Sequence, residues 1–223
     1  MTKVARDFDR QGFVQSRSLT GTGFTHDILL GGMSFAYDLL DGIDEQLGRS
    51  GVGRLAQLIE LANLSAVIGN FLRTGVSRAS GGAFEANGPH KYPDLLARRP
   101  GLRDTEIKVA LETNNPKGHL IKPGPHLTFR YVLGAGDGSY VLDQRGDVPW
   151  IWEIRFGVLE PGHFNVSNTE GDSGKTAVIN QKGMAALQVV YCDLQRCPHS
   201  PRSPTYRALS ELRRGKDVGE VSK

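Results

Sequence analysis

The apolar pattern of this chain changes its period once, at the glycine pair Gly81-Gly82. Before the pair, apolar residues recur at helical spacing. Phe35, Leu39, Leu40 and Ile43 do so within residues 33–47, which Gly48 closes. Leu55, Leu58, Ile59, Ala62, Ala66, Ile68, Phe71 and Leu72 do so within 54–73, interrupted only at Gly69 and followed by Gly75. The second surface is broad enough to predict a helix lying under a core. After the pair, the pattern is that of strands: TEIKVAL at 105–111, LTFRYVL at 127–133, SYVLDQ at 139–144 and WIWEIRFGVL at 150–159. Turns containing glycine or proline separate them, and AGDG at 135–138 suits a hairpin connection. A short helix at 184–187 leads into a strand at 188–193, and TYRALSELRR at 205–214 reads as a basic helix. Helices, then strands taken as an antiparallel group, then helix make an α/β or α+β layered domain and not an all-β sandwich. No repeat or low-complexity linker divides residues 1–223, so a single domain is expected, helical over about 1–80 and sheet over about 84–195.

Composition narrows the class. With 39% hydrophobic and 23% charged residues the chain can bury a core, which excludes disorder over most of its length. No apolar run approaches the roughly 20 residues of a membrane span. Arg6, Asp7, Asp9, Arg10 and Arg17 break any secretory apolar segment within residues 1–30, so a cytoplasmic protein is expected. The two cysteines, Cys192 and Cys197, are too few for a four-ligand zinc site and read as reduced thiols. GKT at 174–176 has Thr169 where a phosphate-binding loop needs its first glycine, which excludes that reading. The net charge of +3 is mild, but arginines cluster at 98, 99 and 103 and again at 196, 202, 207, 213 and 214, next to Lys216. Such clusters either neutralise phosphates or form a solvated face.

The chemistry concentrates around TEIKVAL. Alternate side chains of a strand share a face, so Glu106 and Lys108 point the same way, about 6.6 Å apart along the chain. Ile107, Val109 and Leu111 take the apolar face. Asp94 follows Pro93, and residues 95–104 are long enough to turn and bring Asp94 beside Glu106. Two adjacent carboxylates repel unless a cation joins them. Mg²⁺ suits the pair, with Mn²⁺ as substitute and with water and phosphate oxygens completing the shell. The carbonyl of Ile107 is placed to add a ligand, and Lys108 to orient the attacking water or stabilise the phosphorane charge. This set fits phosphodiester hydrolysis.

With Pro93-Asp94 as the first half-motif and Glu106-Ile107-Lys108 as the second, the chain resembles the PD-(D/E)xK nuclease superfamily, most strongly over residues 84–133. The resemblance implies a restriction-endonuclease-like fold, a mixed central β-sheet flanked by helices. It also implies a Mg²⁺-dependent endonuclease of double-stranded DNA, of the type II restriction kind, acting as a homodimer in a bacterial cytoplasm. Many members add a carboxylate from the preceding helix. Glu60 and Glu85 are the candidates for that position, ahead of Asn70. Asn114, Asn115, Lys117 and His119, in the loop after the ExK strand, are candidate DNA contacts. Each feature also has a plainer reading: a Pro-Asp turn for Asp94, an ion pair on a solvated strand for Glu106 and Lys108, a solvated helix residue for Glu60, and a polar turn for the loop. The alternative to the nuclease is a non-catalytic DNA-binding protein that keeps the same fold and the basic surface.

Overall fold

A computed structural model describes Arg6 and residues 8–88, 91–167 and 176–215. In chain order, α1 (His26–Arg49), α2 (Leu55–Leu58) and α3 (Leu61–Ala79) precede the short strands β1 (Phe84–Ala86) and β2 (Leu95–Ala97). Then come β3 (Glu106–Leu111), β4 (Lys117–Gly118), β5 (Gly124–Gly134), β6 (Val148–Leu159), β7 (Phe164–Ser167) and β8 (Thr176–Ile179). The helix α4 (Gln181–Ala186), the strand β9 (Gln188–Cys192) and the helix α5 (Pro204–Arg213) complete the chain. No helix among the described residues is long and apolar enough to cross a membrane.

The central sheet has the order β3-β5-β6-β9 and is mixed: β3 runs parallel to β5, and the other neighbours are antiparallel. The strands therefore do not form the purely antiparallel group that their succession suggests. A β-strand that ends a sheet can rejoin it in parallel only through a crossover. Here residues 112–123, which contain β4, make that crossover. Two small sheets flank the main one, β1-β2 and β4-β8-β7.

Register assigns the two faces. Ile107, Val109 and Leu111 align with Leu127, Phe129 and Tyr131, and Leu127 and Phe129 align in turn with Phe156 and Ile154. These side chains meet the helical layer. The hydroxyl of Tyr131 lies 3.0 Å from that of Ser65 on α3, and a Cβ on Gly69 would touch Val109 at 3.4 Å. Behind them α1 and α3 cross closely. A Cβ on Gly75 would fall 2.7 Å from the carbonyl oxygen of Gly32, so glycine is required at this crossing. Phe24 stacks on Phe84 at 4.3 Å and closes this core toward the N-terminal segment.

Two further sequence expectations change. The segment 54–73 is not one helix: it breaks at Ile59, which is extended, and Glu60, between α2, whose first amide, Leu55, donates to Asp44 on α1 at 2.8 Å, and α3. SYVLDQ at 139–144 forms turns and one isolated bridge, Val141 to Gln144, because no neighbouring strand pairs with it. Trp150 and Trp152, two residues apart on β6, separate to different surroundings. A register shift in β6 sends Trp150 to Tyr37 and Trp152 to His199, and both are buried. Cys192 and Cys197 are free and buried.

Candidate active site

The site forms at the outer edge of β3. Just before the strand, Leu95 and Thr105 exchange both backbone hydrogen bonds at 2.9 Å, which holds the start of β2 against the entry to β3. This pairing carries Asp94 to a point level with the strand. There its Oδ2 accepts the amide of Ile107 at 2.9 Å. In an extended strand the amide and carbonyl of one residue face the same neighbour, so the Ile107 carbonyl also faces the Asp94 edge. Asp94, Glu106 and the Ile107 carbonyl therefore converge.

Glu106 lies on the opposite side of the sheet from the helices, and its side chain is 1% exposed. Its Oε1 accepts both Lys108 and Lys122, the latter at 2.6 Å, while Oε2 is buried without a partner. Burial raises the Glu106 pKa, but the two ammonium groups outweigh that and hold it below the ordinary carboxylate value. Asp94 behaves oppositely. Burial and then the Glu106 charge push its pKa up, the Ile107 amide and Lys108 only partly countering them, and the two carboxylates come within hydrogen-bonding reach. They form a repelling pair, with Lys108 and Lys122 on the Glu106 side.

Beside Glu106 on β5, His126 is fully buried. Its Nδ1 meets the Gly124 carbonyl at 2.9 Å, and Nε2 has no partner. Burial, with help from Lys108 and Lys122, lowers its pKa to about 4, so the ring is neutral. Above Lys108 passes β4. A Cβ on Gly118 would come 3.3 Å from Lys108 Cε, so a glycine lets this strand lie over the lysine.

Two further cations complete the site, and neither carries a sequence signature. Lys122 comes from the loop between β4 and β5. Its Nζ sits 4.8 Å from the ring centroid of Tyr92, whose hydroxyl ties the same loop through the Pro123 carbonyl at 2.8 Å. Arg73, on α3, reaches 3.9 Å from Asp94 Oδ1. Its helical phase could have been read from Gly69, one turn earlier, had the packing of Gly69 on Val109 been known.

The other candidates lie elsewhere. Glu60 immediately precedes α3 and is exposed, thirteen residues before Arg73, or about 20 Å along the helix. Glu85 lies on β1, where Arg98 binds its carboxylate at 2.6 Å. Asn70 is exposed on α3. Neither Glu60 nor Glu85 joins the carboxylate pair in a group of three acidic side chains, and Asn70 lies one turn before Arg73 on α3. Asn114, Asn115, Lys117 and His119 are all exposed along the crossover after β3, as a contact surface requires. Of the clustered arginines, Arg98, Arg196 and Arg213 bind Glu85, Asp193 and Asp9, whereas Arg202, Arg207 and Arg214 face solvent.

Among the described residues, no group of three or more histidine, cysteine or acidic side chains converges as a metal site. Mg²⁺ does not need one, since it is commonly held by one or two carboxylates together with water and substrate phosphate. The unpartnered Glu106 Oε2 and the raised Asp94 pKa are what a pair lacking its shared cation would show, so the residues fit the ion. No known protein family matches the chain, and no curated protein resembles it significantly.

Proposed function

We propose that this protein is a metal-dependent endodeoxyribonuclease that hydrolyses phosphodiester bonds of double-stranded DNA, as a homodimer, in the manner of a type II restriction endonuclease. The observation that carries this reading is the Asp94–Glu106 pair, pinned together at the β3 edge with Lys108 on the same carboxylate. Asp94, Glu106 and the Ile107 carbonyl would hold Mg²⁺ or Mn²⁺. When bound, such an ion supplies charge neutralisation at the phosphate and a more acidic water. The chain's own residues do the rest. Asp94 is oriented by the Ile107 amide, so its carboxylate is placed before any ligand arrives. Lys108 presents an ammonium beside the carboxylates, where it can orient the attacking water and stabilise the pentavalent phosphorus. Lys122 adds a second ammonium at the same oxygen, able to turn toward a phosphate once Glu106 is otherwise engaged. Asn114, Asn115, Lys117 and His119 are exposed around Gly118, which lies over Lys108, and would contact the DNA.

The test is incubation of the purified protein with plasmid and genomic DNA, modified and unmodified, with Mg²⁺, Mn²⁺ or a chelator. Discrete cleavage that the chelator abolishes is the expected result. A folded protein that never cuts overturns the reading. If that protein binds DNA independently of Mg²⁺ and of Lys108→Ala, with affinity falling steeply in salt, the non-catalytic DNA-binding reading replaces it.

A further inference from the structure

The face of the main sheet that carries Glu106 and Lys108 continues inward. In register, Lys108 lies beside Thr128, and Thr128 beside Arg155; one step on, Ala110 lies beside Arg130, and Arg130 beside Glu153. Glu153 is 1% exposed, and one of its oxygens meets Arg130 Nη1 at 3.3 Å while the other accepts Arg155 Nη2 at 2.7 Å. Two guanidinium groups on a single carboxylate leave one positive charge uncompensated. Glu153 and Arg155 are the charged groups that bear on Arg130, and desolvation pushes the Arg130 pKa down. The Nε of each arginine is buried without a partner.

Both forks are fixed in place. Arg130 Nη2 donates to Asn115 Oδ1 at 3.3 Å, and Arg155 Nη1 donates to the carbonyls of Met184 at 3.3 Å and Leu187 at 3.4 Å. They form the floor of an open cavity of about 370 Å³, within the range of small-ligand sites, whose walls include Asn115, Gln181, Met184 and His199. His199 stands edge-on to Trp152 at 5.8 Å between ring centroids. Burial and the two arginines lower its pKa, so it adds no second excess charge. An excess positive charge at the floor of this pocket favours an anionic ligand there. Planar guanidinium forks match phosphate oxygens in particular. The amides of Asn115 and Gln181 and the thioether of Met184 leave room beside the forks for more than a bare phosphate.

We propose that this cavity is a phosphate-ester site, separate from the metal site, that takes a nucleotide. The same chemistry is offered by a nucleotide within a bound DNA strand and by a free mononucleotide, and the experiment separates the two. Full-length protein without metal is titrated with inorganic phosphate, with a deoxynucleoside monophosphate and with duplex DNA at several salt concentrations, followed by tryptophan fluorescence, for which Trp152 behind His199 is the reporter. Saturable mononucleotide binding is expected, weakened on the order of tenfold by Arg155→Met, which leaves Arg130 and Glu153 as a balanced pair. Asn115→Ala, on an exposed loop and safe for folding, should weaken it less. If the pocket serves a bound strand, Arg155→Met also reduces the slope of DNA affinity against salt by about one. An unchanged slope with weakened mononucleotide binding identifies a free-nucleotide site. Equal affinity in wild type, Arg155→Met and Asn115→Ala, or no saturable binding of any probe, overturns the proposal. The metal-free assay does not depend on cleavage: Asp94→Asn protein should bind these probes like wild type even where it cannot cut.

Discussion

The two faces of the β3-β5-β6-β9 sheet are built from the same strands yet obey opposite rules. On the helix side Leu127, Phe129, Tyr131 and Ile154 are fully buried and meet apolar partners or, for Tyr131, a hydroxyl. On the other side Glu106, His126, Thr128, Arg130 and Glu153 are almost as deeply buried, but they are polar, and several atoms lack partners. Burying apolar area stabilises the fold by roughly 25 cal/mol per Å². Burying charges is unfavourable unless every one is matched, and here they are not. One face therefore holds the sheet together, while the other is held in place by it.

Substitutions on the two faces should separate these roles. The largest effect is expected from Phe129→Ala on the helix side, which should lower unfolding free energy by about 3–5 kcal/mol in denaturant titration, through lost burial and a cavity. Lys108→Ala, one residue from that face in sequence, should instead leave the denaturant midpoint nearly unchanged, because Lys122 still binds Glu106. Its loss should appear in single-turnover DNA cleavage, at about 10²- to 10³-fold, or about 2.7–4 kcal/mol. Loss of stability without loss of rate in Lys108→Ala would place this lysine with the structural face.

His126 gives a pH signature for the polar face. Its native pKa of about 4 lies below its ordinary value of 6.5, so on acidification the unfolded chain takes up the proton first. The stability it contributes is complete above pH 6.5 and is lost as pH falls toward 4, by about 3 kcal/mol. Denaturant midpoints of wild type and His126→Gln across this window should differ in slope, whatever their offset. Asp94 has the opposite sign. Its native pKa is raised, so its contribution is full below the ordinary value of 3.8 and is lost as pH rises through the raised value, which leaves a strained charge at pH 7. Asp94→Asn keeps an acceptor for the Ile107 amide and removes that charge. It should raise Tm at pH 7 by about 2–4 °C while abolishing metal-dependent cleavage. A drop in Tm would mean that Arg73 makes the ionised form a net gain.

What could be read in the sequence follows the range of the forces involved. The alternation in TEIKVAL is local, and it correctly separated Ile107, Val109 and Leu111 from Glu106 and Lys108. The short span from Asp94 to Glu106 let a turn bring the two together. SYVLDQ has the composition of a strand, but strand formation needs a partner, which composition does not show. The helix break at Ile59 and Glu60 has no marker in the apolar pattern, which runs on through both helices. Lys122 and Arg73 reach the site through long-range packing, so no spacing rule marks them. The parallel pairing of β3 with β5 is hidden as well, because a twelve-residue connection containing β4 permits either direction.

The outer border of β3 has a consequence for solubility. An edge strand with free amides and carbonyls invites another chain to add itself as the next strand. Here Leu95 occupies the backbone of Thr105, and the Asp94 carboxylate occupies the next outward amide, that of Ile107, with a negative charge standing where an incoming strand would lie. The residue proposed to hold the cation thus also guards the rim of the sheet against polymerisation. A side chain that neither accepts that amide nor carries charge, as in Asp94→Ala, would expose the rim, and concentrated protein should then associate edge to edge in light scattering while Asp94→Asn stays dispersed.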